Sequence, residues 1–422
     1  MNKSKVLSGK LYYLAISLFF LFVGCGPGTL DDTALKADLI SHISILANDS
    51  LQGRAFGTDG EEKAAQYLSR QFKKIGTEAK GTDGYFQEFN VSASKNPHVK
   101  AKIGDAKNDS SLVGKNVVAW INNQAENTVV IGAHFDHLGM GGVGSLHRGE
   151  SEIHNGADDN ASGVATILAL AKILKQKKEL KNNYLFIGFT GEENGLWGSN
   201  YFNKSPTVDL TKVNYMLNFD MVGRLNEDRS LAVHGTGTSP EWNNVLDSIN
   251  IDSLSLVKKE SGVGPSDHTS FYLQNIPVLH FFTGQHEDYH KPSDDEDKIN
   301  YEGLVQVIRY TERLITTLDS KDKLAFTKTK DESEDTPRFK VGLGVVPDYL
   351  FDGKGMRIDG LTEDKPAHNA GLEKGDIVIK LGDSAVIDMM SYMRALSIFE
   401  KGDSTTVIIK RGSQELTKSI LF

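Results

Sequence analysis

The amino-acid sequence predicts an α/β fold in which helices cover both faces of a mostly parallel β-sheet. Two observations predict it. Apolar, β-branched runs recur through the middle of the chain, and segments with helical hydrophobic spacing lie between them. Strands buried on both faces form such continuous apolar runs, and in parallel sheets they alternate with helices. After residue 338 the pattern changes to short strands with one helix near 390–399, which predicts a small β-rich second domain.

Four helices are predicted for the larger domain. The clearest is amphipathic and covers 61–74, because its apolar residues recur on one face, Thr58 can cap its start and Gly76 can end it. The other three segments share the same periodicity: 35–47, 161–175 and 304–318.

The strands of this domain are short apolar runs. Between 86 and 121 we expect short strands, interrupted by a polar, Lys- and Asn-rich stretch at 96–115. Four later runs have the composition of buried strands: 128–133, 184–189, 215–219 and 278–282.

Six polar side chains stand at or just beyond the ends of predicted strands, where α/β sheets form their sites. Imidazoles and carboxylates are ligands of catalytic zinc. Five ligands and one spare carboxylate suit two metals that share an Asp, with a free base beside them. Such a site could attack an amide with a metal-bound hydroxide. The six residues are His134, Asp159, Glu192, Glu193, Asp220 and His290.

Each of these segments also has an ordinary structural interpretation. Asp159 precedes a helix, where acidic residues often serve as caps. Glu192 and Glu193 could be a solvated pair at a helix start. His290 lies in a loop and, taken alone, would be expected to face solvent. The six residues lie in five separate segments of the chain, and only the combination of these segments favours the metal site.

The neighbouring polar residues receive supporting roles. Asp136 is placed to accept the second N–H of His134, as carboxylates often do for ligating histidines. His137 is expected to be structural or to line the pocket wall, and so is the polar segment Ser266-Asp267-His268. A Ser-His-Asp hydrolase is not supported, because the chain has no Gly-x-Ser-x-Gly segment.

The first 25 residues predict an export signal. A lysine-rich head precedes a short apolar run at 11–23, which ends at Gly24-Cys25. This pattern resembles a bacterial lipoprotein signal, cut before a cysteine that then carries lipid. It implies a protein anchored to a bacterial membrane on the periplasmic or cell-surface side. An ordinary signal peptide or an uncleaved anchor is the alternative.

Composition bounds the remaining possibilities. The net charge is −9 and no basic face stands out, which argues against nucleic-acid binding. Cys25 is the only cysteine, so no disulfide framework is expected. The predicted organisation is a signal at 1–25, a tether at 26–34, a catalytic domain at 35–319, a charged linker at 320–338 and a second domain at 339–422.

From about residue 35 to 318 the chain resembles the co-catalytic di-zinc aminopeptidases, a family that includes secreted bacterial leucyl aminopeptidases. The resemblance implies a phosphorylase/hydrolase-like three-layer α/β sandwich. It also implies two Zn²⁺ ions, one held by His134 and Asp220 and the other by Glu193 and His290. Asp159 would bridge the two ions.

The same resemblance implies a mechanism. A hydroxide bridging the zinc ions would attack the peptide bond, with Glu192 first as general base and later as acid. Tyr289 matches a family tyrosine that stabilises the oxyanion. The substrates would be peptides with a free N-terminus.

The C-terminal segment resembles a PDZ domain of the bacterial protease type, on the strength of Val341-Gly-Leu-Gly-Val345 and Lys365-Pro-Ala-His-Asn-Ala-Gly-Leu372. The resemblance implies that the backbone of Gly342, Leu343, Gly344 and Val345 receives the C-terminal carboxylate of a peptide, which adds as a strand. The alternative is a small β domain whose glycines only make turns.

Two other functions stay open at this point. One is a glutaminyl-cyclase-like transferase, which shares this fold and works with one zinc. The other is a non-catalytic peptide-binding protein that acts through the PDZ domain. The presence of both His134 and Asp220 favours two metals, and the retention of Glu192 favours catalysis.

Overall fold

The computed structural model describes most of the chain: 31–92, 102–104, 111–330, 340–348, 350–351, 353–362 and 364–422. The predicted signal with Cys25 lies outside these residues, so the lipid anchor stays a prediction. Among the described helices, none combines the length and the hydropathy that a membrane span needs.

The described helices belong to both domains. They are α1 (Asp32–Leu46), α2 (Asp59–Ile75), α3 (Gly163–Gln176), α4 (Trp197–Lys204), α5 (Trp242–Ser248), α6 (His268–Tyr272), α7 (Tyr301–Asp319), α8 (Pro366–Asn369) and α9 (Met389–Leu396).

The strands of the first domain are β1 (Glu78–Ala79), β2 (Phe86–Ser92), β3 (Lys102–Ile103), β4 (Leu112–Ile121), β5 (Asn127–His134), β6 (Asn182–Phe189), β7 (Val213–Phe219), β8 (Ser230–His234), β9 (Ser255–Lys259) and β10 (Val278–Phe282). Those of the second domain are β11 (Val345–Pro347), β12 (Met356–Leu361), β13 (Ile377–Leu381), β14 (Ser384–Ala385), β15 (Ser404–Arg411) and β16 (Gln414–Leu421).

The first domain is built on a ten-stranded sheet in the order β3-β2-β4-β6-β5-β7-β10-β8-β9, with β1 beside β4. Its centre, β6-β5-β7-β10, is parallel. Antiparallel pairs flank the centre, β4 with β6 on one side and β10 with β8 on the other. The predicted fold class, a helix-covered and mostly parallel sheet, is confirmed.

Both faces of the sheet are buried, which gives three layers. Successive strand residues point to opposite faces, so on β5 Val129 and Ile131 belong to one core and Val130 to the other. Helices α1, α2, α3, α5 and α7 cover the first face, and α4 and α6 cover the second.

Helices α1 and α7 each begin three residues earlier than predicted because their caps lie upstream. The Asp31 side chain accepts hydrogen bonds from the backbone of Thr33 and Ala34, so α1 begins within the predicted tether. Asn300 accepts from the backbone N–H of Gly303 and starts α7. The prediction also omitted α4, α5, α6, β8 and β9, which are too short to show a clear period.

Part of the predicted linker is attached to the first domain. Leu324 is buried in the core of that domain. The backbone N–H of Thr327 donates to the Thr238 carbonyl at 2.8 Å, and that of Thr329 donates to the Tyr272 hydroxyl at 3.0 Å. Residues 331–338 of the linker lie outside the described residues.

The second domain has its own sheet and core. The strand order is β11-β12-β13-β15-β16, with β14 beside β13. Leu343, Met356, Val378 and Val407 are among the residues of its core. The predicted β-rich C-terminal domain is confirmed, and its predicted helix at 390–399 is α9.

The central parallel strands deliver the predicted site residues to one edge of the sheet. His134 is the last residue of β5, and Asp220 directly follows β7. Glu192 and Glu193 lie shortly beyond β6, and His290 lies in the loop that follows β10.

A buried carboxyl group connects α2 to the loop after β6. Glu61 is 3% exposed and accepts hydrogen bonds from the Thr190 hydroxyl and the Gly57 backbone. Burial raises the pKa of Glu61, and although these two hydrogen bonds oppose it, the pKa reaches about 7. The surroundings of the Glu61 carboxyl group favour its neutral form. This group binds Thr190, which lies close to Glu192 in the chain.

A buried arginine connects three backbone segments beneath the same edge. Arg54 is 1% exposed, and its guanidinium donates to the carbonyls of Phe135 (2.8 Å), Asn155 (2.6 Å) and Gly156 (3.0 Å), and also to that of Leu46. A planar group with five donors can serve several carbonyls at once. Arg54 thus fixes the loop that follows His134 and the segment that leads to Asp159.

We expect Glu61→Gln to gain stability over the wild type as the pH rises. The folded-state pKa of about 7 lies above the unfolded value, so the contribution of Glu61 is complete below the unfolded pKa and is lost as the pH rises through about 7. The amide stays neutral but loses one of the two acceptor oxygens, so the stability of the variant relative to the wild type should rise by about 1–3 kcal/mol between pH 4 and pH 8. Urea unfolding with a chelator present measures this.

The neighbouring substitution Glu62→Gln is the control for Glu61. Glu62 is partly exposed and pairs with Lys115 at 2.8 Å, so its removal should give no such gain. Equal stability of wild type and Glu61→Gln at every pH would contradict the interpretation.

Arg54→Lys should lower the free energy of unfolding by about 2–5 kcal/mol, because one ammonium group cannot serve four buried carbonyls. Denaturant unfolding of the full chain measures the loss. Arg313→Lys is the matched control, since Arg313 pairs with Asp252 near the surface and its replacement should cost less than about 1 kcal/mol. Losses of the same size in both variants would contradict the role of Arg54.

Candidate metal centre

Asp159 lies at the middle of the site and faces two imidazoles at once. Its Oδ1 is 3.4 Å from Nε2 of His134, and its Oδ2 is 3.2 Å from Nε2 of His290. The turn at 157–162, just before α3, carries it. Each oxygen of this carboxylate therefore belongs to a different cluster of donors.

The first cluster contains His134, Asp220 and Glu192. Nε2 of His134 is 3.3 Å from Oδ1 of Asp220. The donor atoms of the three residues lie within 4.8 Å of one another. His134 is 1% exposed, so this cluster is closed on the side of the sheet.

The second cluster surrounds Glu193. Oε2 of Glu193 is 3.3 Å from Nε2 of His290, and Oε1 is 2.7 Å from Nδ1 of His137. Donor atoms of His137, Asp159 and Glu193 also lie within 4.8 Å of one another. The structure thus brings all six predicted residues together and adds His137.

The spacing of the donors fits zinc. At ligand distances of about 2.0–2.2 Å, two donors of a tetrahedral zinc lie about 3.3 Å apart. The imidazole–carboxylate separations of 3.2–3.4 Å around Asp159 have this length. They are longer than direct ion-pair hydrogen bonds, so a cation fits between the donors.

The imidazoles of His134 and His290 are both oriented through their second nitrogen. Nδ1–H of His134 donates to the Asp136 carbonyl at 3.1 Å, and Nδ1–H of His290 donates to the Gly144 carbonyl at 2.8 Å. In each ring Nε2 is left facing the carboxylates. This arrangement fixes the tautomer that a metal needs.

Asp136 lies beside His134 and also contacts the loop of the two glutamates. Its carboxylate is 3.6 Å from Nδ1 of His134, while its own backbone carbonyl accepts the N–H of that nitrogen at 3.1 Å. The carboxylate also accepts from the backbone N–H groups of Glu192 (3.2 Å) and Glu193 (3.4 Å). These N–H groups lie in the loop after β6, and the sequence pattern did not show this second contact. Asp136 therefore supports both the histidine and the two glutamates.

The two adjacent glutamates have opposite electrostatic environments. Burial raises the pKa of Glu192 well above its usual range; His134 opposes this, and Asp220 and Glu193 add to it. Burial and Asp159 would also raise the pKa of Glu193, but hydrogen bonds from His137 and His290 bring it to about 2. Neighbouring carboxyl groups with separated pKa values suit different tasks.

The surrounding carboxylates raise the pKa values of both imidazoles. Burial would lower the pKa of His134, but Asp220 and Glu192 raise it well above its usual value. Burial acts in the same way on His290, yet hydrogen bonds to Asp159 and Glu193 raise its pKa to about 11. Both imidazoles therefore lie in a strongly negative environment, which favours a bound cation.

A second acidic residue holds the turn that carries Asp159. Oδ2 of the fully buried Asp294 accepts the backbone N–H groups of both Asp158 and Asp159 at 3.0 Å. The Asp158 carboxylate points away from the metal donors and lies 3.2 Å from Nε2 of His286. Of the two adjacent aspartates, Asp159 is the one that faces His134 and His290.

The other predicted residues take varied places. The ring of Tyr289 stacks on that of His290 with centroids 3.8 Å apart, so it adjoins the second cluster. His268 is buried and stacks on His280 at 4.5 Å. Burial raises the pKa of Asp267 to about 7, although His134 opposes it.

The predicted peptide-binding loop leads into the edge strand β11. Leu343 is buried and its carbonyl accepts from the Ala367 backbone at 2.9 Å. Gly344 has a φ of 75°, which favours glycine, and its carbonyl accepts from the backbone of Thr362 at 2.8 Å. One side of β11 pairs with β12, and the other lies at the edge of the sheet.

Sequence reasoning missed two residues that support the site. Arg54 lies in the segment Leu51-Gln-Gly-Arg54, but a single arginine gives no sign that it is buried. Asp294 lies close after His290, and a loop acid there has no signal of its own. His137, which was expected to be structural or to line the pocket wall, lies against Glu193.

Comparisons with known proteins agree with this geometry. The profile of peptidase family M28 matches residues 116–315, and the PDZ domain profile matches 325–421. A probable leucine aminopeptidase of Arthroderma otae is 33% identical over 172 residues, which are 39% of this chain and 45% of that protein. The match thus spans less than half the length of this relative.

Two solved structures share the fold. A zinc aminopeptidase from Bacillus subtilis has a TM-score of 0.52 at 18% identity, with 69% of this chain and 98% of that chain covered. Glutaminyl cyclase of Porphyromonas gingivalis has a TM-score of 0.54 at 18% identity, with 67% and 98% covered. The two profile matches thus give a peptidase family M28 domain at 116–315, followed by a PDZ domain at 325–421.

Proposed function

We propose that the chain is a zinc-dependent aminopeptidase, which holds two zinc ions and removes N-terminal residues from peptides. The observation that carries this proposal is the position of Asp159, whose two oxygens face His134 and His290 from opposite sides. A carboxylate shared in this way suits two metal ions. The leucine aminopeptidase name of the Arthroderma otae relative supports the same activity.

The ligand assignment follows from the two clusters. His134 and Asp220 would hold one zinc, His290 and Glu193 would hold the other, and Asp159 would bridge them. When bound, two zinc ions lower the pKa of a shared water and polarise the substrate carbonyl. The protein contributes the orientation of the donors and an acid–base group.

Glu192 is the proposed acid–base group. The Asp136 carboxylate accepts the backbone N–H of Glu192 at 3.2 Å. The Glu192 carboxyl group lies in the first cluster, beside His134 and Asp220. It would accept a proton from the attacking water and later donate it to the leaving amine. Glu193 is less suited to this task, because hydrogen bonds from His137 and His290 bring its pKa to about 2 and so make it a weak proton acceptor.

Tyr289 is the proposed oxyanion donor. Burial raises the pKa of its hydroxyl well above the usual value, and Asp159 and Glu193 raise it further, so the group remains a donor at neutral pH. A hydroxyl donor near the second cluster could stabilise the charge that develops on the carbonyl oxygen. The stacking on His290 limits the movement of the ring.

The PDZ domain is proposed to bind a C-terminal peptide, with the backbone of 342–345 as carboxylate acceptor and β11 as pairing strand. The edge position of β11 supports strand addition. Export and lipid attachment at Cys25 remain predictions from the sequence, and they would place this peptidase at a membrane surface.

Replacing each of the adjacent glutamates tests their separate roles, Glu192 as the acid–base group and Glu193 as a zinc ligand. Glu192→Gln should keep both zinc ions and lower the turnover of aminoacyl anilides by a factor of about 10²–10⁴, because a general base is lost. Glu193→Gln, the matched neighbour, should lose zinc from one site. Elemental analysis and anilide turnover measure the two effects, and unchanged turnover in Glu192→Gln would remove it from the base role.

Glutaminyl cyclisation is the second candidate, since a solved glutaminyl cyclase shares the fold. Leucyl and N-terminal glutaminyl peptides, offered to the same preparation, separate the two functions. We expect release of leucine with a chelator-sensitive rate. Cyclised glutamine with intact leucyl peptides would favour the alternative.

A further inference from the structure

His137 differs from the two ligand histidines in what its nitrogens face. Nε2 of His134 and of His290 lies 3.2–3.4 Å from carboxylate oxygens. In His137 it is Nδ1 that meets a carboxylate, Oε1 of Glu193, at only 2.7 Å. A separation of about 2.7–2.9 Å is that of a charge-assisted hydrogen bond, and it is too short for two donors of one tetrahedral zinc.

The His137 ring is held in place by its surroundings. It is 2% exposed, and a Cβ added to Gly156 would lie 2.6 Å from the ring. Its backbone N–H donates to the Arg54 carbonyl at 3.3 Å. Its edge approaches the face of His290, with centroids 5.8 Å apart and planes at 68°. Within the described residues its buried Nε2 has no hydrogen-bond partner, so Nδ1 carries its one polar contact with a side chain.

The second cluster does not need His137 as a ligand. His290, Glu193 and Asp159 already offer three donors, and a four-coordinate catalytic zinc keeps its remaining place for water or substrate. Nδ1 of His137 is 3.9 Å from Oδ2 of Asp159, which is longer than the ligand separations. The geometry therefore separates His137 from the metal donors it adjoins.

We propose that His137 is a positioning residue, whose Nδ1–H holds Oε1 of Glu193 so that Oε2 faces His290 and binds the second zinc. The hydrogen bond satisfies the oxygen that would otherwise be a buried unpaired acceptor. It also prevents Glu193 from turning its carboxylate away from Asp159. Residues that hydrogen-bond to a metal ligand influence metal affinity although they do not contact the metal themselves.

The proposal rests on the proposed function, since it assumes a second zinc site. Two amide substitutions of His137 test it. The amide nitrogen of His137→Asn is attached at the same carbon as Nδ1 and can donate to Oε1, whereas His137→Gln places its amide one bond farther. The full chain is dialysed against buffers of fixed free zinc, and zinc per protein is measured by elemental analysis.

We expect wild type and His137→Asn to hold two zinc ions with similar affinities. His137→Gln should bind one of the two about 10–100-fold more weakly and the other unchanged. Cobalt substitution gives a second readout, since the absorption of one site should change while that of the other is kept. If the substitutions only disrupted the loop that carries His137, both zinc sites would bind more weakly in both variants.

The zinc measurements distinguish a failure of the positioning role from a failure of the proposed function. Equal affinities in His137→Gln and wild type would overturn the positioning role. Loss of the second zinc in His137→Asn as complete as in His137→Gln would overturn it as well, because the imidazole itself would then be needed. Fewer than two zinc ions in the wild type would contradict the proposed function instead. Should His137→Gln not fold by circular dichroism, His137→Ala takes its place with the same expected result.

Discussion

Four carboxylates and two imidazoles meet at one edge of a buried sheet, and carboxylates this close repel one another unless positive charge lies between them. Asp159 stands at the centre of this charge problem, since its two oxygens face two separate clusters. The carboxylates raise the pKa values of both His134 and His290, which shows how strongly negative their surroundings are. Metal ions would supply the positive charge, with the imidazole nitrogens as ligands.

Hydrogen bonds to neighbouring groups hold the two imidazoles, Asp159 and the two glutamates in position. Nδ1 of His134 and Nδ1 of His290 each donate to a backbone carbonyl, and Asp294 holds the turn of Asp159. Asp136 holds the loop of the two glutamates. Beneath them, the buried cation Arg54 joins the loops of the first imidazole and of the shared aspartate without pairing directly with any of their carboxylates. The site is thus supported mainly through the backbone.

The sequence predicted the donors because chemistry and position coincided. The central strands are continuous apolar runs, so their ends could be located, and polar residues at those ends stood out. The supporting residues could not be predicted in this way. Arg54 is far from the site in sequence. The contact of the Asp136 carboxylate with the backbone of Glu192 and Glu193 depends on the path of the loop after β6. Short elements such as β8 and β9 lack a period long enough to detect, and α1 begins early because Asp31 caps it.

We expect two cations, one on either side of the Asp159 carboxylate. X-ray data collected at the zinc absorption edge, from crystals of the zinc-loaded chain, locate such ions directly. Two anomalous peaks should lie about 3.5–4 Å apart, one beside His134 and the other beside His290. A single peak, or peaks that leave Asp159 without a metal neighbour, would rule out the shared carboxylate.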